Sequence, residues 1–343
     1  MKQPTPALPN YDDYDFLSPV VPEIQPIQIA NLFFYALVFV LGVPGNALVV
    51  WVTACGMTRT VTSVWFLHLS LADFLCCLFL PILMVPLAHD DHWHFGPVAC
   101  TLFKSLFHLT MYCSVLLLVL ISLDRLMLVT WPIWCQNHRR PRLATWACAG
   151  AWLLALVATV PDLMYTRESD FGGGGIKKEC LPRRSQLNSK IVVGFRFVAG
   201  FALPFLAILC SHVLVYQKAH ALSGTARSKR TLKVIVAVAA SFFICWLPLH
   251  VLDLVITEVA RTSTHRASIN VAHSLARCLA YFNSCVNPIL YVCLGREFRT
   301  SMTRSLRAHF NFINEEPTTT CRQPPTADTS KSSGMTTAEM TGV

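Results

Sequence analysis

The chain is 343 residues long, with 54% hydrophobic and 14% charged residues, and its mean hydropathy is +0.49. Because soluble domains carry about 25% charged residues, this composition excludes an ordinary water-soluble globule. The net charge of +9 does not indicate nucleic-acid binding, because Lys and Arg lie in short segments between long apolar runs. That distribution is typical of membrane-protein loops.

The chain begins with an acidic, aromatic tail, which we assign to residues 1–27. Its stretch NYDDYDF places Asp12, Asp13 and Asp15 beside Tyr11 and Tyr14. Tyrosines flanked by aspartates on an exported tail are candidates for sulfation, which adds negative charge. The functional interpretation is an electrostatic attraction for a cationic partner. The alternative is a solvated, disordered tail without a partner.

Seven apolar runs follow the tail, each close to the ~20 residues with which a helix crosses a bilayer. They cover residues 29–52, 63–88, 98–130, 143–165, 190–217, 231–256 and 268–293. We therefore predict an all-α membrane protein with a seven-helix bundle at residues 28–294. The odd number of spans, and the lack of a 20–50-residue repeat, argue against a duplicated transporter.

The orientation of the bundle follows from Lys and Arg in the short loops, which favour the cytoplasmic side. On one side the basic residues are Arg59, Arg139, Arg140, Arg142, Lys218, Arg227, Lys229, Arg230, Lys233, Arg296, Arg299, Arg304 and Arg307. We predict that this side is cytoplasmic in the plasma membrane and that the acidic tail is extracellular. The long loop at residues 166–189 is also basic, but charges far from a span end influence topology weakly.

Two of the 14 cysteines differ in position from those inside the spans. Cys100 opens the third span at its predicted outer end, and Cys180 lies in the long loop on the same side. Both therefore face the oxidising compartment, where disulfides form. We predict a disulfide between them that pins the loop over the mouth of the bundle.

Polar side chains inside the spans are costly in lipid and point to function. Asp73 lies in the middle of the second span without a local cation. At comparable depth in other spans lie Asn46, Ser114, Asn283, Ser284 and Asn287. Together they predict one polar cavity that holds water or a sodium ion. The alternative is a hydrogen-bonded packing core.

One short motif in each span resembles the landmarks of rhodopsin-like G-protein-coupled receptors. In chain order these are GNALVV, LSLADF, SLDRL, Trp152, FALP, CWLP and NPILY. The segments HWHFG, PIWCQN, RSKRTLKVIVAVAASFFICWLP and NSCVNPILYV resemble the chemoattractant branch, and within it the anaphylatoxin receptors. Formyl-peptide and chemerin receptors are near neighbours and remain alternatives.

The resemblance implies a small cationic anaphylatoxin as ligand, with a sulfated acidic tail binding its body and the helical pocket taking its C-terminal tail. An Arg on the fifth span, here Arg196, is expected to bind the terminal carboxylate, because a guanidinium engages both oxygens. Where the family has a second Arg the chain has Thr166, so Arg167 is expected to substitute. His273 replaces the family's Asp, and we expect Asp253, about a turn above His250, to supply that charge.

The resemblance also implies signalling to an inhibitory-type G protein. Trp246 and Phe242 would transmit the movement caused by the ligand toward the cytoplasmic end of the bundle. Pro248 removes a backbone hydrogen bond and creates a hinge, and Arg125 would line the G-protein cleft. The residues implied in activation are Asp124, Arg125, Phe242, Trp246, Pro248, Asn287, Pro288 and Tyr291. Asp124 and Arg125 are expected to form an ion pair.

Beyond the bundle, residues 295–310 place apolar residues between arginines, which predicts an amphipathic helix on the membrane surface. Residues 311–343 are rich in Ser and Thr and are expected to be disordered. The resemblance implies that receptor kinases phosphorylate this tail and that arrestin then binds it. The candidate positions are Thr318, Thr319, Thr320, Ser332, Ser333, Thr336 and Thr337.

Other function classes fit the sequence less well. A retinal protein needs a Schiff-base Lys in the seventh span, which has none. A pump would use several coupled carboxylates. An enzyme would need a nucleophile and base or a metal site, and His89, His92 and His94 are only a weak metal candidate. We therefore expect no enzyme activity and no nucleic-acid partner. A receptor of the same fold that binds without signalling, a scavenger, remains the alternative.

Overall fold

The structure is a computed structural model that describes residues 25–171, 177–182, 186–221, 226–259, 263–294, 299–304 and 307. The acidic stretch with Tyr11, Asp12, Asp13, Tyr14 and Asp15 lies outside the described residues. So do the candidate phosphorylation positions from Thr318 to Thr337 and most of the predicted amphipathic helix, of which 299–304 is described and helical.

Ten α-helices and one β-hairpin account for most of the described residues. The first half contains α1 (Pro26–Trp51), α2 (Val61–Leu78), α3 (Leu80–Ala88), α4 (Gly96–Thr130), α5 (Pro132–His138) and α6 (Pro141–Tyr165). The second half contains β1 (Thr166–Phe171), β2 (Lys177–Pro182), α7 (Gln186–Phe197), α8 (Leu203–Ala221), α9 (Ala226–Glu258) and α10 (Arg266–Leu294). Short π-helical turns, Val52–Gly56 and Val198–Ala202, extend α1 and join α7 to α8.

These helices form the predicted seven-transmembrane bundle, in which α2 with α3, and α7 with α8, each make one span. Within the described residues, six segments are long and apolar enough to cross a membrane. The seventh, α10, has 29 residues, but it carries charged and polar side chains, such as His273 and Arg277, that line a cavity and reduce its apolar content.

Local sequence explains where the second span begins and why it breaks. Thr60 and Ser63 cap α2 reciprocally: the Ser63 amide donates to Thr60 Oγ1 at 3.1 Å, and the Thr60 amide donates to Ser63 Oγ at 2.9 Å. Pro81 follows the break at Phe79 and occupies the first turn of α3. Proline lacks an amide hydrogen, which costs nothing in the first turn of a helix, so the span continues as a second helix.

The longest helix, α4, is the centre of the bundle and packs against α2, α6, α8 and α9. The last helix, α10, closes the ring by packing against α9 and α1. A single core of aliphatic and aromatic side chains runs through the middle, from Tyr35 to Tyr291. We call the two ends of the bundle the hairpin end, which carries β1 and β2, and the Arg125 end.

The predicted disulfide between Cys100 and Cys180 is present and ties β2 to the start of α4. The hairpin itself was not predicted: β1 and β2 are antiparallel, with Glu168 opposite Cys180. The buried indole of Trp93 packs against this disulfide, and the Trp93 amide donates to the Lys178 carbonyl at 2.7 Å. The hairpin is therefore fixed to the bundle by covalent, apolar and hydrogen-bonded contacts.

Lys177 adds an electrostatic contact between the hairpin and the turn before α4. Its Nζ lies 3.0 Å from Asp90 Oδ2 and 3.2 Å from Glu179 Oε1. Burial lowers the pKa of Lys177, but the hydrogen bonds to Asp90 and Glu179 outweigh it, and the pKa is raised above its ordinary value. The ammonium is therefore charged at neutral pH and stays paired with both carboxylates.

Gly42 allows α1 and α2 to approach closely, because a Cβ at this position would collide with Cys77 Sγ. We expect Gly42→Ala to lower thermal stability in detergent, since overpacking costs about 1–3 kcal/mol. Gly150→Ala is the matched control, because nothing lies within 4 Å of a Cβ built at Gly150 on α6. Equal melting temperatures for the two variants would contradict the close packing of α1 on α2.

Candidate ligand-binding site

A cavity of ≈ 340 Å³ opens at the hairpin end between the helices. Its walls come from α1, α3, α4, α6, α7, α9 and α10, and the hairpin contributes Thr166, Cys180 and Leu181. Ligand pockets are commonly of this size, with a few convergent polar groups on an otherwise apolar wall. Because Cys180 is in the disulfide, the cover of the cavity is covalently held.

Arg196 lies at the centre of one wall and is bound by two carboxylates. Its side chain is buried, with 7% of the residue exposed. Nη2 donates to Asp162 Oδ1 at 2.7 Å, and Nη1 donates to Asp253 Oδ2 at 3.2 Å. The formal charge of this triad is −1. The predicted Arg196 is therefore in the cavity, but its charge is already compensated by the protein.

Asp253 also contacts His273. The sequence predicted that Asp253 supplies the charge missing at His273, and the two residues are neighbours in the structure. Asp253 Oδ1 and His273 Nε2 are 2.8 Å apart, and Arg277 Nη2 lies 3.4 Å from His273 Nδ1. A neutral imidazole with its proton on Nε2 donates to Asp253 and accepts from Arg277, which satisfies both contacts. Both carboxylate oxygens of Asp253 are thus engaged within the protein.

On the opposite side of Arg196, Asp162 Oδ2 lies 3.6 Å from His108 Nδ1. His108 lies one helical turn from Lys104 on α4, as Arg277 lies one turn from His273 on α10. The charged and titratable side chains therefore follow one another around the cavity wall. We call this set the charged belt; its members are Lys104, His108, Asp162, Arg196, Asp253, His273 and Arg277.

Aromatic rings form the floor beneath the charged belt. Phe107 packs on Trp246 with ring centroids 5.0 Å apart, and on Tyr281 at 4.5 Å. Trp246 in turn stacks on Phe242 at 5.7 Å. The predicted pair Trp246 and Phe242 is therefore in contact with the bottom of the cavity through Phe107.

Two predicted ligand-binding residues lie off the cavity wall. His250 is 2% exposed and packs among aromatic rings, 5.3 Å from Phe201 and 6.0 Å from Trp246. Arg167 is exposed on β1 and donates to the carbonyls of Leu163 and Thr166 at 3.0 and 2.9 Å. Their roles in binding stay predictions.

Sequence reasoning missed four members of the charged belt. Asp162, Lys104, His108 and Arg277 all lie inside predicted spans, and an ionisable residue in a span is by itself a pointer to function. That signal was available for each of them. What the sequence could not give was their pairing, because residues from α4, α6 and α10 meet only after the helices pack.

Polar side chains meet in the middle of the bundle, where the sequence predicts either a polar cavity or a hydrogen-bonded packing core. Asn287 Nδ2 donates to Asp73 Oδ2 at 2.7 Å, and Asn46 Nδ2 donates to the Ser284 carbonyl at 2.8 Å. The amide oxygens of Asn46 and Asn283 are buried without a partner among the described residues. Oxygen ligands of this kind suit a hard cation, and the sodium ion stays a prediction. Ser114 is buried at 4% exposure.

At the Arg125 end, Asp124 is shared between two arginines. The predicted Asp124–Arg125 pair is present at 3.7 Å, but Arg139 binds both carboxylate oxygens, at 2.8 and 3.0 Å. Arg125 Nη2 donates to Thr62 Oγ1 at 2.8 Å. Arg139 on the following loop therefore takes the carboxylate that the sequence assigned to Arg125 alone, and Thr62 holds Arg125 on α2.

The remaining predicted activation residues lie on α9 and α10. Pro248 and Pro288 are both inside their helices. Tyr291 is 1% exposed, and its ring packs on Phe66 at 4.6 Å. This places Tyr291 against α2, on the side of the core where Asp73 and Asn287 meet.

The three histidines before α4 are close together without forming a metal site. His94 lies 5.0 Å from His89 and 4.5 Å from His92 between ring centroids, and His92 Nδ1 accepts from the Lys178 amide at 3.3 Å. Among the described residues, no group of three or more His, Cys, Asp or Glu side chains is arranged to hold a metal ion.

The sequence matches one protein-family model, the 7 transmembrane receptor (rhodopsin family), over residues 45–291. The match includes every span motif from Gly45 to Tyr291. It covers well over half of the chain.

Three of the curated proteins similar to this chain share one name. C5a anaphylatoxin chemotactic receptor 1 of Oncorhynchus mykiss is 55% identical over 322 residues, which is 91% of either chain. The protein of that name from Danio rerio is 46% identical over 323 residues, covering 90% of this chain and 92% of the relative. The one from Homo sapiens is 41% identical over 324 residues and 91% of either chain.

Proposed function

We propose that this chain, which belongs to the rhodopsin family of seven-transmembrane receptors and to its C5a anaphylatoxin chemotactic receptors, binds a C5a-type anaphylatoxin and signals through an inhibitory-type G protein. As a receptor of this family it is a multi-pass plasma-membrane protein.

The observation that carries the proposal is the cavity at the hairpin end. It combines a charged belt, an aromatic floor and a disulfide-held cover. A peptide tail with charged groups at its end suits such a wall, because buried charges are stable only when they are paired. The curated relatives are named for C5a, and the family match at residues 45–291 covers the cavity-lining residues from Leu83 to Tyr281.

The hairpin end is extracellular in this proposal, with the acidic tail beside it. Tyr11 and Tyr14, once sulfated, and the neighbouring aspartates attract the cationic body of the ligand, while the ligand's C-terminal tail enters the cavity. The support is the negative charge of the tail and the excess of Lys and Arg at the opposite end.

The conformational change caused by the ligand is then transmitted from the cavity along α9. Pressure on Phe107 moves Trp246 and Phe242, Pro248 acts as the hinge, and the Arg125 end of α9 swings away from α4. The G protein enters that space and meets Arg125 once it leaves Thr62 and Asp124. Receptor kinases and arrestin act afterwards on the tail beyond residue 311. The contacts of Trp246 with Phe107 and Phe242 support this route.

The test is suppression of forskolin-raised cyclic AMP in cells that express the full chain. The cells are titrated with recombinant C5a of Oncorhynchus mykiss, with and without pertussis toxin. We expect a dose-dependent fall of cyclic AMP that the toxin abolishes. Arg125→Asn serves as the paired variant, and we expect it to bind labelled C5a with unchanged affinity and to lose the response.

Three other outcomes are informative. Saturable C5a binding without a fall in the wild type would indicate a scavenger receptor of the same fold. A fall that resists the toxin would contradict the inhibitory-type G protein. No C5a binding to receptor present at the cell surface would contradict the ligand, and formyl-peptide and chemerin ligands would then be assayed in the same cells.

A further inference from the structure

The short helix α5 brings Arg139 back to the end of α4. The chain turns at Trp131, between the two helices, and α5 begins with a proline, whose missing amide hydrogen costs nothing in a first turn. Cys135 is 4% exposed, and α5 packs on α4. As a result Arg139, which directly follows α5 and lies 15 residues after Asp124, returns to the carboxylate of Asp124.

At this carboxylate Arg139 is bound more closely than Arg125. Arg139 Nε donates to Asp124 Oδ1 at 2.8 Å and Nη2 donates to Oδ2 at 3.0 Å, which is the two-pronged arrangement that makes arginine–carboxylate pairs strong. Arg125 Nη2 lies 3.7 Å from Oδ2, beyond the length of a hydrogen bond. The Asp124 side chain is only 10% exposed, so water screens this pair less than a pair on the surface.

A threonine places the two arginines next to each other. Thr62 Oγ1 accepts from Arg125 Nη2 at 2.8 Å and from Arg139 Nη2 at 3.4 Å. Because both nitrogens contact the same oxygen, the two guanidinium groups are neighbours, and both keep their charge at any physiological pH. We call Thr62, Asp124, Arg125 and Arg139 the two-arginine cluster. Its formal charge is +1, and its two like charges repel each other.

We propose that Arg139 is a positioning residue that keeps Arg125 ready to leave Asp124 and meet the G protein. Arg139 takes the carboxylate that would otherwise bind Arg125, and its charge repels the neighbouring guanidinium. Both effects lower the free energy needed to move Arg125 when the cleft opens. The inference rests on the proposed function, because it requires that a G protein meets Arg125.

Loss of Arg139 should tighten the hold of Asp124 on Arg125. The carboxylate stays in a mostly buried position, where a charge is costly unless it is paired. Arg125 is already 3.7 Å away, and a small rotation of its side chain brings the two groups into hydrogen-bonding distance. A receptor without Arg139 is therefore expected to couple less readily, although no residue of the ligand cavity has changed.

The experiment measures binding of GTPγS to membranes that contain the full-length chain and an inhibitory-type G protein. The membranes are assayed without ligand and over a titration with C5a of Oncorhynchus mykiss. Wild type, Arg139→Met, Asp124→Asn and the double variant are compared at equal receptor abundance, because a double-mutant cycle isolates the coupling between two side chains. Arg142→Met is the matched control. It removes one exposed positive charge from the first turn of α6 and leaves the two-arginine cluster intact.

We expect Arg139→Met to lower the ligand-independent signal and the potency of C5a by about 3- to 10-fold, the effect of one charge-assisted contact at a partly exposed site. Arg139→Lys should lose less, because an ammonium keeps the charge but not the two-pronged contact. Asp124→Asn should raise the ligand-independent signal. In that background Arg139→Met should change the signal and the potency by less than about twofold, and Arg142→Met should match the wild type.

Arg139→Met with wild-type or higher activity would overturn the inference. An equal loss on the Asp124→Asn background would assign Arg139 to direct contact with the G protein and would overturn the positioning role. A loss of the same size in Arg142→Met would indicate a general effect of charge, with the same consequence. A wild type at the cell surface that stimulates no GTPγS binding would contradict the proposed function, and the inference would fall with it.

Discussion

Arg196→Met is expected to reduce surface expression severely and to lower the melting temperature of the receptor in detergent. Removing one partner of a buried ion pair costs about 3–5 kcal/mol, because the other charge stays buried and uncompensated. Arg196 is paired with both Asp162 and Asp253, so its loss leaves two such charges. This is the largest effect we expect from a single substitution in the cavity.

Compensating substitutions separate the pairing from simple loss of packing. Asp162→Asn and Asp253→Asn, added together to Arg196→Met, remove the uncompensated charges and should restore much of the lost surface expression. Arg266→Met is the matched control, because the partners of Arg266 within the described part of the chain are the carbonyls of Ile256 and Val259. If Arg196→Met were as stable as Arg266→Met, or were not rescued by the two Asn residues, the buried triad would be contradicted.

The Cys100→Ser, Cys180→Ser double variant is expected to lose about 2–5 kcal/mol of stability, the usual effect of removing a native disulfide. The bond joins residues 80 apart in sequence, so the unfolded chain gains considerable freedom without it. The affinity for the ligand should also fall, because Cys180 and Leu181 cover the cavity and a released hairpin must be ordered on binding.

The measurement is thermal unfolding of purified receptor with and without a thiol reductant. The wild type should melt at a lower temperature with reductant, and the double variant should melt at one temperature in both conditions. Cys293→Ser is the control, because Cys293 is exposed and free and should leave the wild-type behaviour unchanged. A double variant with wild-type stability would contradict the structural role of the bond.

The spans were predictable because bilayer thickness imposes a length on any helix that crosses it and excludes charge from its lipid-facing side. The sequence could not give the break at Phe79 or the hairpin after α6. Both depend on local proline chemistry and on pairing across a loop. The disulfide was predictable, since only two cysteines were placed on the oxidising side outside the middle of a span.

The candidate site was predicted in part. Arg196, Asp253 and His273 do meet at one cavity, but the partner of Arg196 that binds most closely, Asp162, was not anticipated. The family resemblance points to residues inside known motifs. Asp162 and Lys104 lie in none of these motifs, so they were not predicted. The interactions of such residues are set by helix packing, since the side chains that compensate them come from other spans.

The continuity of α9 has a mechanical consequence. This helix runs from Ala226 to Glu258 and carries Asp253 above Pro248. At about 1.5 Å per residue, Asp253 lies about 8 Å above the proline and Ala226 about 33 Å below it. If the parts of α9 on either side of Pro248 turn together, a sideways step at the cavity is multiplied by about four at the far end, so that ~1 Å of movement at Asp253 becomes ~4 Å at Ala226.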